Sequence, residues 1–158
     1  MNGVVGRAWL TVTLPDGWAV KAVLHAGRDI ADVPIELASG QTLSDVQVIV
    51  TDKATTVSDQ LADDKGAPIT DGTVIVFAND SARWQSARFV RSARPDQQGR
   101  WQIKGLPAGE YLAVAVDYVE DGQWNDPEYL DSIQRYGQKV TLADSASEAL
   151  SLKLVVPQ

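Results

Sequence analysis

Three groups of side chains in this 158-residue chain could do chemistry. The first is the lone histidine, His25. A serine–histidine–acid triad would have to use it, yet the chain holds no Gly-x-Ser-x-Gly elbow, no His-Glu-x-x-His helix and no phosphate loop. His25 follows a strand pattern and precedes Ala26-Gly27, so an exposed or locally hydrogen-bonded imidazole is expected. The second group is the run of carboxylates Asp117, Glu120, Asp121, Asp126 and Glu128. Two carboxylates held across a cleft suffice for a carboxylate-dependent hydrolase, with these five as candidates and loss of activity on changing Asp126 or Glu128 to Ala as its test. Asp117, Glu120, Asp121 and Asp126 are the candidates for Ca2+, which takes oxygen ligands from flexible loops. Their spacing fits no defined calcium loop, and acids in a turn and at a helix N-terminus already have structural reasons to be there. Surface acids, no catalytic residue and no resident cofactor are therefore expected. The third group is cationic: Arg83, Arg88, Arg91, Arg94, Arg100 and Lys104, interleaved with Trp84, Phe89 and Trp101. Such a face can stack on a sugar ring or attract an anionic polymer. The competing reading sends Phe89 and Trp101 to the core and leaves the arginines to pair with the excess acids. Trp124, between Gln123 and Asn125, is the best candidate for an exposed aromatic, and Trp84, Trp124, Arg88 and Arg91 are the candidate ligand-binding residues.

These side chains need strands to hold them. Trp18 to Leu24, Asp45 to Val50, Thr73 to Ala78 and Arg100 to Lys104 alternate apolar and polar residues or run continuously apolar between Gly/Pro turns. Ala8 to Thr13 and Thr56 to Leu61 read as further strands, and Val33 to Leu37 as an edge strand because Pro34 removes a ladder donor. In Arg100 to Lys104, Trp101 and Ile103 share one face and the charged residues the other. Asp126-Pro127, Gly137 and the spacing of Tyr129, Leu130, Ile133 and Tyr136 predict one short amphipathic helix.

The chain also repeats itself. Leu14-Pro15-Asp16-Gly17 and its following strand match Leu106-Pro107-Ala108-Gly109 and Tyr111 to Val116. Gly27 to Pro34 echoes Gly122 to Pro127, and Ser44 to Val50 echoes Ser147 to Val155. Only the later half of the pattern is present in residues 1–52, whereas residues 53–158 hold a full copy.

Residues 55–116 resemble the carboxypeptidase regulatory-like family, a transthyretin-like sandwich related to collagen-adhesin B-type repeats. The matching residues are Val57-Ser58, Asp64 to Ile69, Val74 to Phe77, the Asp96 to Gly99 turn and Gly105 to Tyr111. The resemblance implies an all-β fold of tandem Greek-key β-sandwiches, with the helix inserted before the last strand of the second. It also implies an accessory module of a bacterial envelope or secreted protein. Adhesin relatives carry a Lys-to-Asn or Lys-to-Asp crosslink; here Thr56 to Leu61 lacks Lys and Ala149 to Val156 lacks Asn and Asp, so no such bond is expected.

Composition narrows the partners. Fourteen Lys and Arg against 21 Asp and Glu give a net charge of −7, which disfavours nucleic acid and anionic lipid. With no Cys, disulfide and thiolate-metal chemistry is absent. No apolar run approaches the roughly 18 residues of a spanning helix, so no membrane insertion is expected. Met1 to Arg7 lacks a basic leader with an apolar core, and an export signal is expected upstream. An isolated half sandwich exposes strand edges and an apolar face, so its missing strands are expected from another copy or a neighbouring domain. The expected function is a non-enzymatic structural, self-associating module, extracellular or in the cell envelope. The alternatives are a carbohydrate- or protein-binding accessory module and, more remotely, the hydrolase.

Overall fold

Strand formation in the computed structural model follows hydrophobic alternation wherever a partner strand is available and fails where none is. The structure describes residues 6–8, 10–15, 17–31, 35–39, 42 and 44–157. It divides into two compact units, Met1–Lys53 and Ala54–Gln158.

In the first unit, β1 (Gly6–Ala8), β2 (Ala19–His25), β3 (Arg28–Asp29), β4 (Ile35–Leu37) and β5 (Gln47–Thr51) form two small sheets. β1 pairs antiparallel with β4, and the other sheet runs in the order β3-β2-β5. Ala26 and Gly27, at φ 51° and 77°, close the β2–β3 hairpin. Two successive left-handed residues give the twist that a two-residue hairpin requires. Val23, Ile30 and Ala31 form a small core, against which Leu10, Val12, Val20, Ile35 and Val46 pack.

The strand expected over 8–13 does not extend past Ala8 among the described residues; 10–15 are irregular. The reason lies in the repeat. The counterpart segment of the second unit, Arg100 to Lys104, pairs with Thr56 to Gln60, whereas no strand lies beside residues 10–13 among the described residues. Trp9, Asp16, Val33 and Pro34, named in the expected strands and turn, lie outside the described residues.

The second unit contains β6 (Thr56–Gln60), β7 (Thr73–Ala78), β8 (Val90–Ala93), β9 (Arg100–Lys104), β10 (Gly109–Val116), α1 (Pro127–Ile133), β11 (Gln138–Leu142), β12 (Ser147–Ala149) and β13 (Leu154–Val155). One sheet runs β11-β10-β7-β8, with β13 parallel to the end of β10; the other runs β12-β6-β9. Val57, Trp101 and Ile103 are buried from the second sheet, while Arg100, Gln102 and Lys104 are exposed, which is the alternation read from sequence. β7 is buried at every residue because both of its faces are covered. Phe77 meets Trp84 edge-on at 5.5 Å, and its cross-strand partner Leu112 packs beside Gly137, next to the helical segment. Asp126 caps α1 by accepting from the Glu128 N–H at 2.9 Å, Pro127 opens the helix, and Leu130 and Ile133 carry it into the core. The result is an all-β sandwich with one short helix.

The repeat is laid out differently from the sequence echo at its end. β5 pairs antiparallel with β2 just as β11 pairs antiparallel with β10. Residues 44–50 therefore correspond in position to β11, not to Ser147–Val155, which supplies one strand to each sheet of the second unit. Three strands, not one, follow the helix.

Candidate functional site

Asp117, Asp126 and His25 are engaged locally. Asp117 Oδ1 accepts from the Tyr118 N–H at 2.9 Å, Asp126 is the helix cap, and the Glu120 N–H donates to Gln123 Oε1 at 3.2 Å. Glu120, Asp121 and Glu128 are exposed. No three His, Asp or Glu residues converge on one point among the described residues. His25 Nδ1 lies 3.0 Å from the Ser44 carbonyl oxygen; since a carbonyl only accepts, Nδ1 carries the proton. That bond ties the end of β2 to the segment leading into β5.

The structure breaks up the cationic–aromatic face. Trp84 is only 5% exposed and donates from Nε1 to the Ala78 carbonyl at 2.7 Å, which removes it from any surface that could stack on a sugar. A tryptophan at the end of a 3-10 turn, six residues past a buried strand, folds back over that strand because its ring gains most by burial there. Trp124 is half-buried and packs against the core. Its polar neighbours do not set its direction, since residues 123–125 form one 3-10 turn that points the middle side chain away from both. The exposed aromatic of this region is instead Tyr118, at 70%. Arg83 and Arg88 cap the buried Phe89 ring at 4.8 and 5.6 Å, cation–π contacts that hold a turn in place. Arg91 is exposed on β8, at a sheet edge.

Arg94 and Arg100 come together elsewhere, at an open groove of about 510 Å³ beside the β6–β9 pair, with Asp59, Gln60, Asp96 and Trp101. Asp96 Oδ1 accepts from the Gln98 and Arg100 N–H groups at 2.8 and 2.9 Å, and Gln60 Nε2 donates to the Gln98 carbonyl at 2.6 Å. These bonds fix the turn that carries Arg100. Neither guanidinium has a hydrogen-bond or ion-pair partner among the described residues. Buried Trp101 Nε1 likewise has no acceptor. The arginines were legible in the sequence, and Asp96 is placed by its own turn; Asp59 and Gln60 are brought in by the β6–β9 register, in which Asp59 faces Trp101 and Gln60 faces Arg100.

The first unit holds a second site of a different kind. β5 is the edge of its sheet among the described residues, and Val48, Ile49 and Val50 are 41%, 40% and 36% exposed. Three consecutive apolar residues show area on both faces of one strand. Trp18, just before β2, is 47% exposed. A long apolar edge is a template for another strand, and soluble folds normally cover or charge it. Residue type alone did not reveal this site, because the same valine alternation also suits a buried strand.

No protein-family model matches the chain, and no curated protein matches it. Several solved structures do. A Pseudomonas aeruginosa protein described as a candidate carbohydrate-binding protein is 16% identical over 63% of this chain and 86% of its own, with a TM-score of 0.39. The TIE protein of Bacillus anthracis is 10% identical, with a TM-score of 0.39, and the match covers 93% of this chain and 23% of that protein. The major pilin subunit of Bacillus cereus is 11% identical, with a TM-score of 0.42, over 79% of this chain and 35% of the pilin. The chain thus spans about a quarter and a third of the latter two. No described helix is long and apolar enough to cross a membrane.

Proposed function

We propose that this chain is a non-enzymatic structural module of a larger extracytoplasmic protein, and that its first unit associates with other copies by strand pairing. The carrying observation is β5, an apolar strand at a sheet edge and exposed on both faces. Covering it removes apolar area from water and satisfies a row of backbone groups in one step. The family that residues 55–116 resemble supports the extracytoplasmic location. Sedimentation of the purified chain over a range of concentrations tests the reading. The mass is expected to rise with concentration for the native chain and to stay monomeric for Ile49→Lys, whose charge lies on the edge strand. A native chain that remains monomeric throughout overturns it.

A second reading, a glycan-binding accessory module, is favoured by the groove. Two guanidiniums without partners among the described residues, beside carboxylates and an amide, suit an acidic sugar, with arginine forks for its carboxylate and the acids for its hydroxyls. Retention on polygalacturonate is expected to fall in Arg94→Ala/Arg100→Ala. Retention equal to that of the native chain removes this reading.

A further inference from the structure

We infer that the partner of β5 is β5 of a second copy, paired antiparallel about a two-fold axis through Ile49; this rests on the self-association proposed above and specifies its geometry. The argument begins with which backbone groups face the free edge. The Val23 N–H donates to Asp29 Oδ1 at 3.1 Å, and the Val23 carbonyl accepts from the Ile30 N–H at 2.7 Å. Both groups of Val23 therefore point toward β3. Val23 faces Val48 in the β2–β5 register, so this is a non-hydrogen-bonded pair and Val48 directs its own N–H and carbonyl to the open side. The irregularity between Val20 and Ala22 lies on β2, leaving β5 its regular alternation. Val50 thus faces out as Val48 does, and Ile49 faces β2.

An incoming strand must match that phase. Antiparallel pairing centred on Ile49 puts Val48 of each copy opposite Val50 of the other, a hydrogen-bonded pair occurring twice, with the two Ile49 residues as the closer non-hydrogen-bonded pair between them. Gln47 then meets Thr51, and the side chains form an unbroken apolar ladder with Val48 and Val50 on one face and Ile49 on the other.

Charge selects this arrangement over the alternatives. The strand is flanked by Asp45 on one side and by Asp52 and Lys53 on the other. Asp45, at φ 57°, and Lys53, whose N–H turns back to Thr51 Oγ1, lie just outside the paired stretch, and the two-fold brings the Asp45 end of each copy to the Asp52–Lys53 end of the other. Parallel in-register pairing would instead set Asp45 on Asp45, Asp52 on Asp52 and Lys53 on Lys53, all repulsive. In a chain of net charge −7, association needs such local complementarity to overcome general repulsion.

The chain has no cysteine, so one introduced thiol reports on one position. Ile49→Cys, Val48→Cys and Val50→Cys would each be oxidised mildly and run on non-reducing gels, with folding checked by circular dichroism. Only Ile49→Cys is expected to form a dimer, because only there do the two copies of one residue come within the roughly 4.4–6.8 Å Cα separation that a disulfide needs. Crosslinking of all three indicates a parallel ladder, and crosslinking of Val48→Cys or Val50→Cys but not Ile49→Cys a shifted one; either overturns the inference while leaving self-association standing. Should the native chain never exceed monomer mass, the underlying reading falls instead.

Discussion

Replacing Trp84 by alanine separates a core role from a ligand-binding one. The ring is 5% exposed, packs edge-on against Phe77 at 5.5 Å and holds the Ala78 carbonyl through Nε1. Truncating a buried Trp to Ala costs about 3–5 kcal/mol in lost transfer energy and residual cavity. The indole bond to Ala78 adds about 1 kcal/mol, more if the carbonyl is left dry. A loss of about 4 kcal/mol is a large fraction of the roughly 5–15 kcal/mol that holds an ordinary domain together. In a domain of roughly 100 residues each kcal/mol moves the melting point by about 4–8 °C, so Trp84→Ala is expected to lower Tm by at least about 15 °C. Trp84→Phe keeps most of the ring area and loses the N–H, so its drop is expected to be about a third as large. Thermal unfolding followed by circular dichroism measures both. A Trp84→Ala chain melting within about 3 °C of the native one would refute the burial argument and return Trp84 to the surface.

Further outcomes follow from particular contacts. Burial first, and then the Asp117 carboxylate, raise the Tyr129 phenol above its ordinary value of 10.0. A raised folded-state value favours the neutral form, so this stabilisation is complete below pH 10 and lost as pH climbs through the folded value. Tyr129→Phe should therefore unfold at a higher pH than the native chain in an alkaline titration, and coincident transitions would contradict this. Its hydroxyl is buried without a partner among the described residues, so the same variant should lose no stability at neutral pH. Asp126→Ala removes the cap of α1 and should cost about 1 kcal/mol in urea unfolding, with Asp126→Asn near native. Added calcium should leave the native Tm unchanged, and a calcium-dependent rise would mean that the acids form a site after all. Gly99 sits at φ +77°, and a Cβ there would lie 2.5 Å from the Leu61 carbonyl oxygen. Gly99→Ala should accordingly destabilise the second unit by about 1–3 kcal/mol or more, as read by the same unfolding curves.

Much of the second unit was legible because its local signals agree. Alternation in Arg100 to Lys104, the Asp126-Pro127 start of the helix, and the Leu-Pro-x-Gly turn that feeds a strand each point to the element that forms. The turn even carries its own latch: Tyr111 reaches back to donate to the Pro107 carbonyl at 2.6 Å. Side-chain direction in irregular segments was not legible. Trp84 and Trp124 sit in 3-10 turns where neither the helical nor the strand period applies, and both turn inward. The groove was invisible for a related reason, since Arg94 and Arg100 meet Asp59 and Gln60 only through a pairing between segments some 40 residues apart in sequence.

The first unit shows where a repeat reading stops. Counting motifs predicts that residues 1–52 carry only the later half of the pattern, and residues 10–15 join no ladder among the described residues. It does not say which edge is left open. The count points to the side of β2, because its counterpart β10 pairs there with β7 along Tyr111 to Val116. In the structure that side of β2 is partly closed by its own hairpin, through Leu24–Asp29, His25–Arg28 and the Asp29 carboxylate on the Val23 N–H. The outward edge of β5 has no such guard among the described residues, and it carries the apolar side chains. An arriving strand would therefore meet less competition at β5 than at β2. Mutation of the hairpin separates the two edges. Asp29→Ala opens the β2 side without touching β5, so dimerisation through β5 should survive it, whereas assembly through β2 should change.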